Sequence, residues 1–114
     1  MTLREVKESL GLVACCAAEK LDQTVTGAYA GDLLSDVMAH CQEGNIWLTI
    51  QVHVNIVGVA VLKDLAAIVL VNGREPAADT LEKAIVEKLP ILTSRMSAYE
   101  LSGRLYSLGV GSGA

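Results

Sequence analysis

Four polar side chains recur at alternate positions in one short segment: Thr49, Gln51, His53 and Asn55, separated by Ile50, Val52 and Val54. Alternate side chains of an extended chain share a face, so this spacing groups a hydroxyl, two amides and an imidazole. Such a set suits a small polar ligand, and His53 has the intrinsic acidity for proton transfer near neutrality. The same residues can instead serve the backbone, with Asn55 capping a helix and the others satisfying loop groups or a subunit contact. Both readings stand on the residues alone.

Three further groups carry weaker chemistry. Asp32, Ser35 and Asp36 gather at the start of a helical pattern, where backbone N–H groups attract anions; Asp32 competes for those donors and reads first as an N-cap. Ser94 and Arg95 precede the last helical pattern, and Arg95 can meet a phosphate or carboxylate there. His40, Cys41 and His53 lack the spacing of a zinc site, so no metal is expected. The vicinal Cys15 and Cys16 have no adjacent Lys or Arg to lower a thiol pKa and read as small core residues. Neither a G-x-G-x-x-G nor a Walker A pattern occurs, so the sequence points to no particular cofactor.

These residues are positioned by elements that the capping signals delimit. Thr2–Glu5 has capping-box form before a helix striped by Leu3, Val6 and Leu10, with Gly11 at its end. Strands are expected at Leu12–Cys16 and Val25–Tyr29, with Glu19–Thr24 as a loop. Gly31-Asp32 opens a helix whose Leu33, Leu34, Val37, Met38 and Cys41 would face the core. After the turn Gly44-Asn45, Ile46–Ile50 reads as the central strand and Ala66–Val71 as the next one. The all-apolar run Ile56–Leu62 between them suits a strand by its β-branched residues. A buried helix has the same pattern; an Asn55 cap and the need for a crossover favour helix. Asp79 with Glu82 reads as a cap for a helix carrying Leu81, Ala84, Ile85 and Lys88, which Pro90 ends. Ile91–Thr93 is a short strand, and Ser97–Glu100 a capping box for a helix striped by Leu101, Leu105 and Leu108. Strands alternating with helices predict an α/β domain with a mostly parallel sheet of about five strands, covered on both faces. Residues 1–109 form this one domain, and 110–114 read as a flexible tail.

Composition narrows the function classes. A chain of 114 residues holds one core. It is 52% apolar but 4% aromatic with no Phe, so Val, Ile, Leu and Ala must build the interior. A net charge of −4 with scattered basic residues argues against nucleic acid. No apolar run approaches the roughly 20 residues of a membrane span. Three cysteines without CxxC spacing fit a reduced, cytoplasmic setting.

The segments Gly31–Met38 (GDLLSDVM) and Thr49–Asn55 (TIQVHVN), with SAYELSGRLYSLG near the end, resemble the DRTGG domain family, in particular its short stand-alone members. The resemblance runs from about Leu3 to Gly109. It implies a three-layer α/β/α domain similar to the N-terminal domain of HPr kinase/phosphorylase, commonly a homodimer. It further implies a regulatory or assembly role, with a link to anaerobic redox metabolism near iron-only hydrogenases. The pentapeptide that names the family is absent: Thr24-Val25-Thr26-Gly27-Ala28 stands in its place. A role resting on an Asp-Arg pair there does not carry over.

The expected function is a non-catalytic regulatory or ligand-binding module acting as a homodimer, with a small molecule or nucleotide as ligand. Thr49, Gln51, His53, Asn55, Asp32, Ser35 and Arg95 are its candidate ligand contacts. One alternative is a small-molecule or nucleotide-binding enzyme with His53 as acid/base. Another is a partner subunit of a redox enzyme, whose apolar second block supports the interface.

Overall fold

The computed structural model describes residues 1–111, and the last three residues of the expected tail lie outside them. Strands β1 (Val13–Ala14), β2 (Gly27–Ala30), β3 (Asn45–Thr49), β4 (Ala67–Leu70) and β5 (Ile91–Thr93) form one sheet in the order β1-β5-β4-β3-β2. β2 to β5 are parallel neighbours, and β1 pairs antiparallel with β5. The helices are α1 (Leu3–Leu10), α2 (Leu34–His40), α3 (Asn55–Leu62), α4 (Ala78–Glu87) and α5 (Ala98–Ser107).

The layering follows from this order. Successive parallel strands are added in one direction, so crossovers of one hand put their connecting helices on one face. Val37 of α2, Ile56, Val57 and Ala60 of α3 and Ala84 of α4 accordingly pack with Trp47, Ile68, Leu70 and Ile91. On the other face, Leu3 and Val6 of α1 and Leu101 and Leu105 of α5 pack with Ile46, Leu48, Val69 and Leu92. The result is the three-layer α/β/α arrangement expected from the alternation of elements.

The ambiguous run Ile56–Leu62 is helical. Ile56, Val57 and Ala60 are wholly buried there, so tertiary packing overrides the β preference of a Val-rich segment. Thr2 makes both bonds of a capping box with Glu5, accepting from its N–H at 3.2 Å while the Glu5 carboxylate accepts from the Thr2 N–H at 2.9 Å. Ser97 makes only the first of these, because the Glu100 carboxylate turns instead to Arg104 at 3.2 Å.

Several expectations shift. β1 is two residues long rather than five: Cys15 still donates its N–H to Ile91, but Ala17 enters the left-handed region at φ 58° and turns the chain away. β2 begins at Gly27, because Val25 and Thr26 bond to the carbonyls of Met1 and Gly44. Asp79 does not cap α4; Ala77 occupies that position, and the Asp79 carboxylate accepts from the adjacent Thr80 N–H. α4 turns Thr80 and Ala84 inward, leaving Ile85 exposed, and Leu33 likewise lies outside the core. Val110, assigned to the tail, is buried in the α1–α5 layer.

Candidate functional site

Parallel strands send their carboxyl ends to a common edge, where open α/β sheets bind ligands. Asp32, Thr49, Gln51 and Arg95 all fall at this edge, in two separate groups beyond β3 and beyond β5.

The group beyond β3 is committed to its own backbone. One Asp32 carboxylate oxygen accepts from the Thr49 hydroxyl at 2.7 Å and from the Ile50 N–H at 2.9 Å. The Gln51 side chain donates to the Asp32 carbonyl at 3.1 Å, and the Thr49 hydroxyl oxygen accepts from the Gln51 N–H. Asp32 therefore does not cap α2. Leu33 precedes that helix without a side-chain bond, and the carboxylate is instead drawn to donors released where β3 ends.

The expected shared face of Thr49, Gln51, His53 and Asn55 is not formed, because the strand stops at Thr49 and the chain turns. His53 Nδ1 accepts from the Asn55 N–H at 3.3 Å, which leaves the proton of the neutral ring on Nε2. Asn55 is the first residue of α3, not its cap; Val54 takes that position with no side-chain bond. Ser35 lies exposed in the first turn of α2. Asp32, Thr49 and Gln51 hold the β2–α2 and β3–α3 loops together. Asp32→Ala should lower stability by about 1.5–3 kcal/mol, the range for hydrogen bonds to a charged group. Urea unfolding with an unchanged m-value would register that loss.

The group beyond β5 surrounds a cleft of about 470 Å³. Each crossover helix covers the interval between the strands it joins, and no crossover extends past β5 to β1. Val13 on β1 is consequently 61% exposed. The cleft opens there, between Leu10 and Val13 on one side and Gly73, Glu75, Met96 and the run Thr93–Arg95 on the other.

Its rim is cross-linked. Asn72 and Gly73, both left-handed at φ 59° and 69°, bend the loop after β4 so that their N–H groups donate to Met96 and Ser94 carbonyls at 2.9 and 2.8 Å. The Ser94 hydroxyl oxygen accepts from the Met96 N–H at 3.1 Å. Thr93 is 9% exposed as a residue, and its hydroxyl, which bonds to no other described residue, is open to the cleft rather than buried. Arg95 and Glu75 are exposed, and neither forms an ion pair among the described residues.

The thiols are poor nucleophiles. Burial raises the Cys15 pKa, and the negative charge of Glu75 raises it further. Burial likewise raises Cys16 and Cys41; Cys16 donates to the Leu89 carbonyl. A thiol pushed upward stays protonated near neutrality. Among the described residues, no three His, Cys, Asp or Glu side chains converge as metal ligands.

Sequence reasoning reached Arg95 but missed Thr93 and Glu75 as its companions. The tripeptide Thr93-Ser94-Arg95 at a strand end is the signal that could have found the first. It also missed a cluster outside the cleft, in which the Tyr29 hydroxyl donates to the Asp36 carboxylate. His40 Nδ1 lies 3.3 Å from the other Asp36 oxygen, and its ring stacks on Tyr29 with centroids 6.3 Å apart. Asp36 raises the Tyr29 pKa by holding the hydroxyl proton. The i, i+4 spacing of Asp36 and His40 was its only visible trace.

This arrangement is a DRTGG-like α/β/α fold. The chain superimposes with a TM-score of 0.71 on the crystal structure of the CBS and DRTGG domains of the regulatory region of Clostridium perfringens pyrophosphatase, complexed with its activator diadenosine tetraphosphate. The identity is 13%, and the match covers 96% of this chain and 47% of that one, so the chain spans about half the length of its structural relative. No protein-family model and no curated protein matches the sequence. Among the described residues no helix is long and apolar enough to cross a membrane.

Proposed function

We propose that the chain is a non-catalytic regulatory module that binds a small polar ligand, with nucleotides among the candidates, in the cleft beside β5. The observation that carries this reading is the pairing, in one cleft, of a Thr93 hydroxyl that has no partner among the described residues and stays open to the cavity with the uncommitted guanidinium of Arg95. A hydroxyl and a guanidinium that face a cavity with no protein partner are free to bond a ligand there. The structural relative, a regulatory region crystallised with a dinucleotide activator, supports the same class of role. Raised thiol pKa values and a His53 ring engaged with the backbone argue for binding over catalysis.

The module acts as a homodimer in this reading. Tyr99 and Tyr106 sit two turns apart on α5, 91% and 69% exposed, a pair of large rings suited to a subunit contact. Light scattering should give twice the 12.0 kDa chain mass; a strict monomer with and without ligand removes this part.

A thermal-shift and calorimetric screen over adenine nucleotides, diadenosine tetraphosphate, phosphate esters and divalent metals tests the binding role. At least one compound should raise the Tm of the wild type and fail to do so in Arg95→Ala. Equal binding by Arg95→Ala, or no binding by the wild type, refutes the site.

A further inference from the structure

We infer that the ligand of this cleft is two-ended, bearing an anion at one end and a hydrogen-bond donor, ammonium or hydroxyl, at the other. The inference rests on the cleft being the binding site and names the chemistry it selects. Arg95 and Glu75 line the same cavity, and neither is neutralised by a partner among the described residues. A ligand that is only anionic gains Arg95 but meets the Glu75 carboxylate. One that is only cationic gains Glu75 and meets Arg95. A molecule with both ends satisfies both charges, while the Thr93 and Ser94 hydroxyls bond its polar middle and Leu10, Val13 and Met96 cover its carbon skeleton.

The negative charge of Glu75 is felt inside the fold as well. It is the second cause of the raised Cys15 pKa after burial. Arg95 leaves β5 immediately after Thr93 and Ser94 and lines the same cavity as Glu75. The cavity, about 470 Å³, is within the roughly 300–1,000 Å³ typical of small-molecule sites. An α-amino acid and a sugar phosphate share the required chemistry.

Calorimetric titration of the full chain tests this with four probes: sulfate (anion alone), ethylammonium (cation alone), L-alanine (carboxylate and ammonium) and ribose 5-phosphate (phosphate and hydroxyls). At least one of the last two should bind about tenfold or more tightly than either single-ended probe, since one charge-assisted hydrogen bond is worth that factor. Which of the two loses affinity in Glu75→Gln tells ammonium from hydroxyl recognition. The same variant should bind sulfate no worse than wild type. Thr93→Val should weaken the two-ended ligand while its Tm without ligand stays level or rises, an outcome that a purely structural threonine would not give. If sulfate binds as tightly as the two-ended probes, or Glu75→Gln leaves them unchanged, the inference fails while the cleft remains a binding site. If nothing binds the wild type, the inference and the cleft reading fail together.

Discussion

Trp47→Ala is expected to remove about 3–5 kcal/mol, the span observed for deleting a large aromatic from a core. Trp47 is wholly buried on β3, with β2 and β4 on either side, and it packs under α2 and α3. Three losses combine. The apolar surface returns to water, a cavity opens where close packing prevents full collapse, and the Gly31 carbonyl loses the indole N–H it accepts at 2.8 Å. Stabilities of small domains lie at about 5–15 kcal/mol, so the loss is a large fraction of the total and should lower the urea midpoint markedly. Trp47 is the only tryptophan, so circular dichroism in urea is the suitable measurement. Trp47→Phe keeps most of the volume but not the donor, and should cost about 1–3 kcal/mol for a carbonyl left unpaired. A phenylalanine variant as weak as the alanine one would mean that the hydrogen bond, not the packing, holds β3 to the Gly31-Asp32 loop.

The fold was legible where local signals and global packing agree. Thr2 and Ser97 cap the helices that their spacing announces, and Gly11 ends α1 in the left-handed region at φ 65°. Apolar periodicity located β3 to β5 within a residue or so. It could not decide Ile56–Leu62, because an all-apolar run has no polar face from which to read a period; the crossover between two parallel strands decided it.

Asp32 shows the opposite limit. Its position before a helical pattern is what an N-cap looks like, yet its carboxylate serves Thr49 and Ile50, which lie far along the chain. A short-range pattern cannot tell a local donor from a distant one. Leu33 and Ile85 failed for a related reason: a stripe of leucine and isoleucine identifies an apolar side, but small Ala84 and Thr80 let α4 approach the sheet more closely and take the inner face. The cleft was least visible of all. It exists because β1 pairs beside β5 across most of the chain's length and has no crossover helix of its own, a property of strand order that no stretch of sequence states.

Gly44→Ala should cost about 2–5 kcal/mol, combining the roughly 1–2 kcal/mol of a left-handed non-glycine residue with the roughly 1–3 kcal/mol of overpacking. Gly44 has φ 80°, and a Cβ there would lie 2.7 Å from Thr26 Cγ2 and 2.8 Å from Thr26 Oγ1. Thr26 cannot easily yield. Its hydroxyl donates to the Glu43 carbonyl at 2.7 Å and accepts from the Asn45 side chain at 3.1 Å, and its N–H donates to the Gly44 carbonyl at 3.0 Å. Gly44 in turn donates its N–H to the Asp64 carbonyl at 2.9 Å. The contact thus joins the entry of β2, the turn before β3 and the end of α3, so relief by moving one of them breaks a bond to another. Gly73→Ala is the matched control: its φ is 69°, but nothing lies within 4 Å of its added Cβ, leaving only the backbone term of about 1–2 kcal/mol. The difference between the two variants in urea isolates the steric contact. Should both cost the same, Thr26 would be free to move, and the start of β2 would be held by its ladder with β3 alone.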